Sequence, residues 1–167
     1  MANSDFPRLR YSDVVETVAR PTGAFKVAAS APVAEVDSDC QTTAVNIQGC
    51  KQLDIFIDVA TNPGNTSTKL YMKIRFSGKQ TPDTATNADW GYIQIDNIAG
   101  ATGISSVQDY MIEIDLLNVN GTAATTFPRR YISRIQQISG RHASAIVWTD
   151  AGTATGTVYF MRQGGSM

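Results

Sequence analysis

Apolar and polar residues alternate with a period of two along much of the chain, and no stretch of comparable length follows a helical period. In one stretch Leu53, Ile55, Ile57 and Val59 are interleaved with Asp54, Phe56 and Asp58. In the next, Leu70, Met72, Ile74 and Phe76 are interleaved with Tyr71, Lys73 and Arg75. Successive strand side chains point to opposite faces, so this spacing predicts sheets with one face in a core and the other largely wet. Strands are expected at residues 25–29, 42–48, 52–60, 69–77, 91–96, 110–117, 130–138, 143–149 and 157–162. Between them, Asn62-Pro63-Gly64-Asn65, Asn118-Val119-Asn120-Gly121, Ser139-Gly140 and Asp150-Ala151-Gly152 supply residues that accept positive φ or preset a turn. Short strands punctuated in this way predict an all-β fold: an antiparallel two-sheet β-sandwich, jelly-roll-like, with an extended N-terminal arm.

A chain of 167 residues with 43% hydrophobic content is long enough for one sizeable core and short for two. The expected organisation is an N-terminal arm and lead-in segment at 1–23, a sandwich domain at 24–163 and a short tail at 164–167. The arm mixes apolar and basic residues without a period, which suits docking better than a core. Phe6, Arg8, Leu9, Arg10 and Tyr11 are the candidate partner-binding residues, with Leu9 and the aromatics as anchors and the arginines as carboxylate partners. Residues 11–20 are ambiguous. Asp13 followed by Glu16 resembles a helix start, whereas Val14, Val15, Thr17 and Val18 are β-branched, and Pro21 is expected to end whatever precedes it. The polar insert 78–89 is expected to project from one end of the sandwich, where contact surfaces commonly sit.

Charge narrows the partners. Lys and Arg number 14 against 15 Asp and Glu, which leaves no basic excess to hold a phosphate backbone, so direct nucleic-acid binding is not expected. No apolar run is long enough to span a bilayer, and residues 1–10 are polar where a secretory signal is hydrophobic, so synthesis in the cytoplasm and no membrane partner are expected.

Catalytic equipment is sparse. His142 is the sole histidine, so any Ser-His-Asp or Cys-His arrangement must use it, yet it follows Ser139-Gly140-Arg141 in a turn. Asp109, Glu113 and Asp115 share a face of one expected strand, and carboxylates two positions apart lie roughly 6 to 7 Å from each other, within the range used in glycoside hydrolysis. The same face also carries Met111 and Leu117, so a partly solvated strand face decorated by charges is the favoured account, and the same holds for Asp54 and Asp58. Cys40 and Cys50 flank a segment read as extended, which keeps their sulfurs beyond bridging distance. Their spacing matches no zinc pattern, so free thiols are expected, and no metal, cofactor or catalytic residue is assigned. Trp90 and Tyr92 alternate on one face and form a possible ligand-stacking pair for a sugar ring, although packing in a core or interface is the favoured account.

The succession Thr68-Lys69-Leu70-Tyr71-Met72-Lys73-Ile74-Arg75-Phe76-Ser77, a polar loop, Asp89-Trp90, then Arg130-Tyr131-Ile132 and a closing Gly156-Thr157-Val158-Tyr159-Phe160 resembles small β-sandwich virion structural proteins of tailed bacteriophages. The resemblance covers roughly residues 53–162. It implies a non-enzymatic component of a phage particle, made in the host cytoplasm and located in the virion. Such a component would be a capsid decoration or cement protein that binds and stabilises the capsid lattice. The implied partners are further copies of the chain, for example in a trimer, and the major capsid protein or other virion proteins. A neck, tail or baseplate structural protein is the alternative within that class, and a carbohydrate-binding β-sandwich module the alternative outside it.

Overall fold

The structure, a computed structural model, describes residues 14–27, 40–62, 67, 69–92, 94–98, 104–109, 111–116, 127–135, 138, 140–152 and 154–164. The first of its two main sheets contains β1 (Val14–Ala24), β4 (Cys50–Thr61), β10 (Arg129–Ile135) and β12 (Thr155–Gly164). Their order is β1-β12-β4-β10, antiparallel throughout. The second contains β2 (Lys26–Val27), β5 (Lys69–Ser77), β6 (Gly91–Tyr92) and β11 (His142–Thr149), in the order β2-β11-β5-β6. Two further strands join it, β3 (Val45–Asn46) on β11 and β9 (Met111–Asp115) on β5. The β2–β11 pair is parallel, so this sheet is mixed. A separate hairpin pairs β7 (Gln94–Ile98) with β8 (Ile104–Asp109). Among the described residues the only helical element is a 3₁₀ turn at Asn87–Asp89, and no helix is long and apolar enough to cross a membrane.

The core lies between the two sheets. The period of two in β4 delivers Leu53, Ile55, Ile57 and Val59 to it, all fully buried. Leu70, Met72, Ile74 and Phe76 come from β5, Ala143, Ala145 and Val147 from β11, and Val158 and Phe160 from β12. An all-β sandwich follows from these positions because each sheet has one apolar face, and burying a large aliphatic side chain is worth about 1.5–3 kcal/mol.

Three local expectations change. The ambiguous segment after Tyr11 is a strand from Val14 onward, as its β-branched residues favour, and Pro21 does not end it. β1 lies at the sheet edge, where a residue without an N–H loses no ladder bond. Its register with β12 shifts between Val18 and Arg20 and again between Arg20 and Gly23. Second, the outer face of β5 is not wet, since Lys73 is 9% exposed and Arg75 fully buried. Third, the polar insert contributes to the burial of Arg75, because it folds back onto the sheet through Thr84 instead of projecting, while Lys73 lies against Tyr92. Gly140 helps to position β11 at this end. Its φ is +94°, and a Cβ there would stand 2.7 Å from the Ser77 carbonyl, the same oxygen that accepts the Arg141 N–H at 2.7 Å.

Candidate docking face

The outward residues of the first sheet fall into cross-strand rows. In the central row Ile132 is opposite Phe56, Phe56 opposite Tyr159, and Tyr159 opposite Val18. Ile132 is 60% and Val18 52% exposed, high values for large apolar side chains. On one side of this row Arg130 pairs with Asp58, and on the other Arg134 pairs with Asp54, with Met161 and then Glu16 completing the row.

Both arginines grip their aspartates with two nitrogens. Arg130 Nε and Nη2 each lie 2.6 Å from an Asp58 oxygen. Arg134 reaches Asp54 at 2.9 and 3.2 Å. The buried Asp54 carboxylate also accepts from the Gln52 and Gln163 side-chain amides, so a charge in a low-dielectric position is well hydrogen-bonded. Hydrogen bonding to the carboxylates raises the arginine pKa values above their ordinary range. The Arg130 guanidinium also lies 5.3 Å from the Phe56 ring centroid and 5.5 Å from that of Tyr159, within cation–π range. The middle of the apolar row is therefore roofed by a neutralised arginine, while its two ends are bare. Apolar positions bounded by satisfied charges have the anatomy of a contact surface.

The outer face of the second sheet is closed by the chain itself. Arg75 Nη2 donates to the Thr84 carbonyl at 2.9 Å, and the guanidinium lies 4.6 Å from the Trp90 ring centroid. The Trp90 indole N–H donates to the Asp83 carbonyl at 2.8 Å. Asp89 locks the loop by accepting from Lys79 Nζ and from the Asp83 N–H. The Lys79 hydrogen bond is the main reason its carboxyl titrates below the ordinary aspartate value. Beside this, Tyr71 stacks on Trp148 with centroids 5.5 Å apart, next to buried Cys40 and Ile146.

Trp90, expected on a ligand-stacking pair, is 8% exposed with Arg75 against its ring, and Tyr92 is half-buried with Lys73 Nζ 5.6 Å from its centroid. The two rings thus meet cations of their own sheet. Phe6, Arg8, Leu9, Arg10 and Tyr11 lie outside the described residues. His142 opens β11, with Nδ1 3.1 Å from the Lys79 carbonyl. Cys40 and Cys50 are free thiols. Burial pushes the Cys50 thiol up against the opposing pull of Arg162, which lowers its thiolate fraction. Glu113 and Asp115 are exposed on β9, and Glu113 accepts from Lys69 Nζ at 2.8 Å; the side chain of Asp109 lies outside the described residues.

The sequence does not mark the outward apolar row as a unit, because its members come from four separate strands. Its local signal is Arg130-x-Ile132-x-Arg134, an apolar residue between two cations on the polar phase of a strand. No protein-family model and no curated protein matches the chain.

Proposed function

We propose that the chain is a non-enzymatic structural subunit of a phage particle, a head decoration or cement protein that binds the capsid lattice and works by contact. The observation that carries this reading is the outer face of the first sheet, where Ile132 and Val18 stand exposed between satisfied Arg–Asp pairs. The reading takes the sandwich as jelly-roll-like, with residues 1–11 as an arm that reaches a neighbouring molecule. Self-association, in a trimer for example, and contact with the major capsid protein would both bury apolar surface, and small contributions repeated over many copies add up on a lattice. The subunit would be made in the host cytoplasm and end in the virion. A place in the neck, tail or baseplate would use the same surfaces. The sugar-binding alternative is less well supported, because Arg75 occupies the face a sugar would need on Trp90.

Removing residues 1–11 tests the proposal. The truncated chain is expected to keep its sandwich fold and to fail to join assembled particles, as read by sedimentation of particles with bound protein. Unchanged incorporation would defeat the arm's role.

A further inference from the structure

The central row and its neighbour are self-complementary. Ile132 on β10 and Val18 on β1 are exposed apolar residues at opposite ends of one row, with the Phe56–Tyr159 pair between them. In the next row the ends carry opposite charges, Arg134 on β10 and Glu16 on β1. Consider a second copy turned by 180° about an axis parallel to the strands, passing between β4 and β12. It sets β10 over the partner's β1 and β4 over the partner's β12. Ile132 then meets Val18 of the second copy and Arg134 meets Glu16, each contact made twice, while the Phe56–Tyr159 pair of each copy stays under its own Arg130. The two Arg130 guanidinia approach near the axis, each already neutralised by its own Asp58. The other two-fold in the plane of the sheet stacks each residue of the central row on its own counterpart and separates Arg134 from Glu16, so it lacks both complementary contacts.

We propose that the outer face of the first sheet is a two-fold contact between copies of this chain, with Ile132 seated on the second copy's Val18. This rests on reading the chain as a structural subunit, and it names the partner of the docking face. Strands packed in this way stay aligned, as in sheet-on-sheet packing generally. Four strands spaced about 4.8 Å apart and about seven residues long present roughly 19 by 23 Å, or about 440 Å² in projection. That is smaller than the ~800 Å² per partner of a stable complex, so the pair forms at high protein concentration and is reinforced where copies are held together on a particle.

The test uses the full chain. Ile132→Glu and Val18→Arg each replace an exposed side chain, and each alone sets a charge against an apolar residue in both contacts of a homodimer. Mixed in equal amounts they pair Glu with Arg at one contact and keep the native Val–Ile pair at the other. Light scattering over a concentration series is expected to show the wild type rising towards twice its monomer mass. Each variant alone should remain at half the wild-type mass, and the mixture should recover it. Should either charged variant fail to fold, Val18→Cys mixed with Ile132→Cys reads the same contact as an intermolecular disulfide under mild oxidation, to be compared with the unmixed controls. A wild type that stays monomeric and forms no such cross-link overturns the proposal, as does a mixture that stays dissociated. A cross-link that forms only after residues 1–11 are removed from a chain that still folds would assign the face to the arm instead. Sugar binding or catalysis by an intact dimer would overturn the structural-subunit reading and leave this interface standing.

Discussion

The two outer faces of the sandwich began with the same sequence pattern and ended in opposite states. On β4 and β10 the polar-phase residues Asp54, Asp58, Arg130 and Arg134 pair with one another across strands and leave Ile132 bare. On β5 the polar-phase residues Lys73 and Arg75 are covered by a segment of the chain itself, with Trp90 clamped over Arg75. Where a chain supplies its own cover, the face contributes to stability. Where it pairs its charges and leaves apolar positions open, the face is free for a partner.

The sharpest way to break this comparison is to strip the cover. Trp90→Ala is expected to cost about 3–5 kcal/mol, the usual loss for a large buried aromatic, measured by urea denaturation. Next comes Arg75→Ala, which removes a buried stem, a cation–π contact and the donor to Thr84, with an expected cost of about 2–4 kcal/mol. Either result below 1 kcal/mol would make the two faces equivalent.

Acid sharpens the same contrast without mutation. The Asp89 carboxyl is depressed in the folded state, chiefly by its Lys79 hydrogen bond, so its contribution is present above the ordinary aspartate pKa and is lost as pH falls through the lower folded value. Below about pH 4 the environment of Trp90 is expected to change, read by tryptophan fluorescence, while far-UV dichroism still reports intact sheets. Asp89→Asn should produce that fluorescence at neutral pH. A transition seen at the same pH by both signals would count against a locally locked loop. The smallest effect belongs to the open face. Ile132→Ser is expected to shift stability by no more than about 0.5 kcal/mol while weakening association.

Much of the architecture was legible because burial on one face of a strand writes itself as alternation. Leu53 to Val59 and Leu70 to Phe76 needed no knowledge of their partners. The fate of the other phase was not legible, because it depends on contacts distant in sequence. Arg75 and Asp58 occupy equivalent places in the pattern, and only the return of the loop through Thr84 and Trp90 separates them. The docking row was hidden for a related reason: Ile132, Phe56, Tyr159 and Val18 come from four strands and become neighbours only through register. Residues 11–20 were ambiguous because a capping pattern and β-branching pointed different ways, and from Val14 onward pairing with β12 decided it.

The place of β12 sets a timetable for folding. It runs between β1 and β4, so the first sheet has no continuous ladder until β12 arrives, and Thr22 meets Thr157 across 135 positions of chain. Closing so long a loop delays the contact and slows the search. The earliest of the described strands to be synthesised is therefore among the last to be paired, and β4 with β10 must hold together a half-sheet while β1 waits.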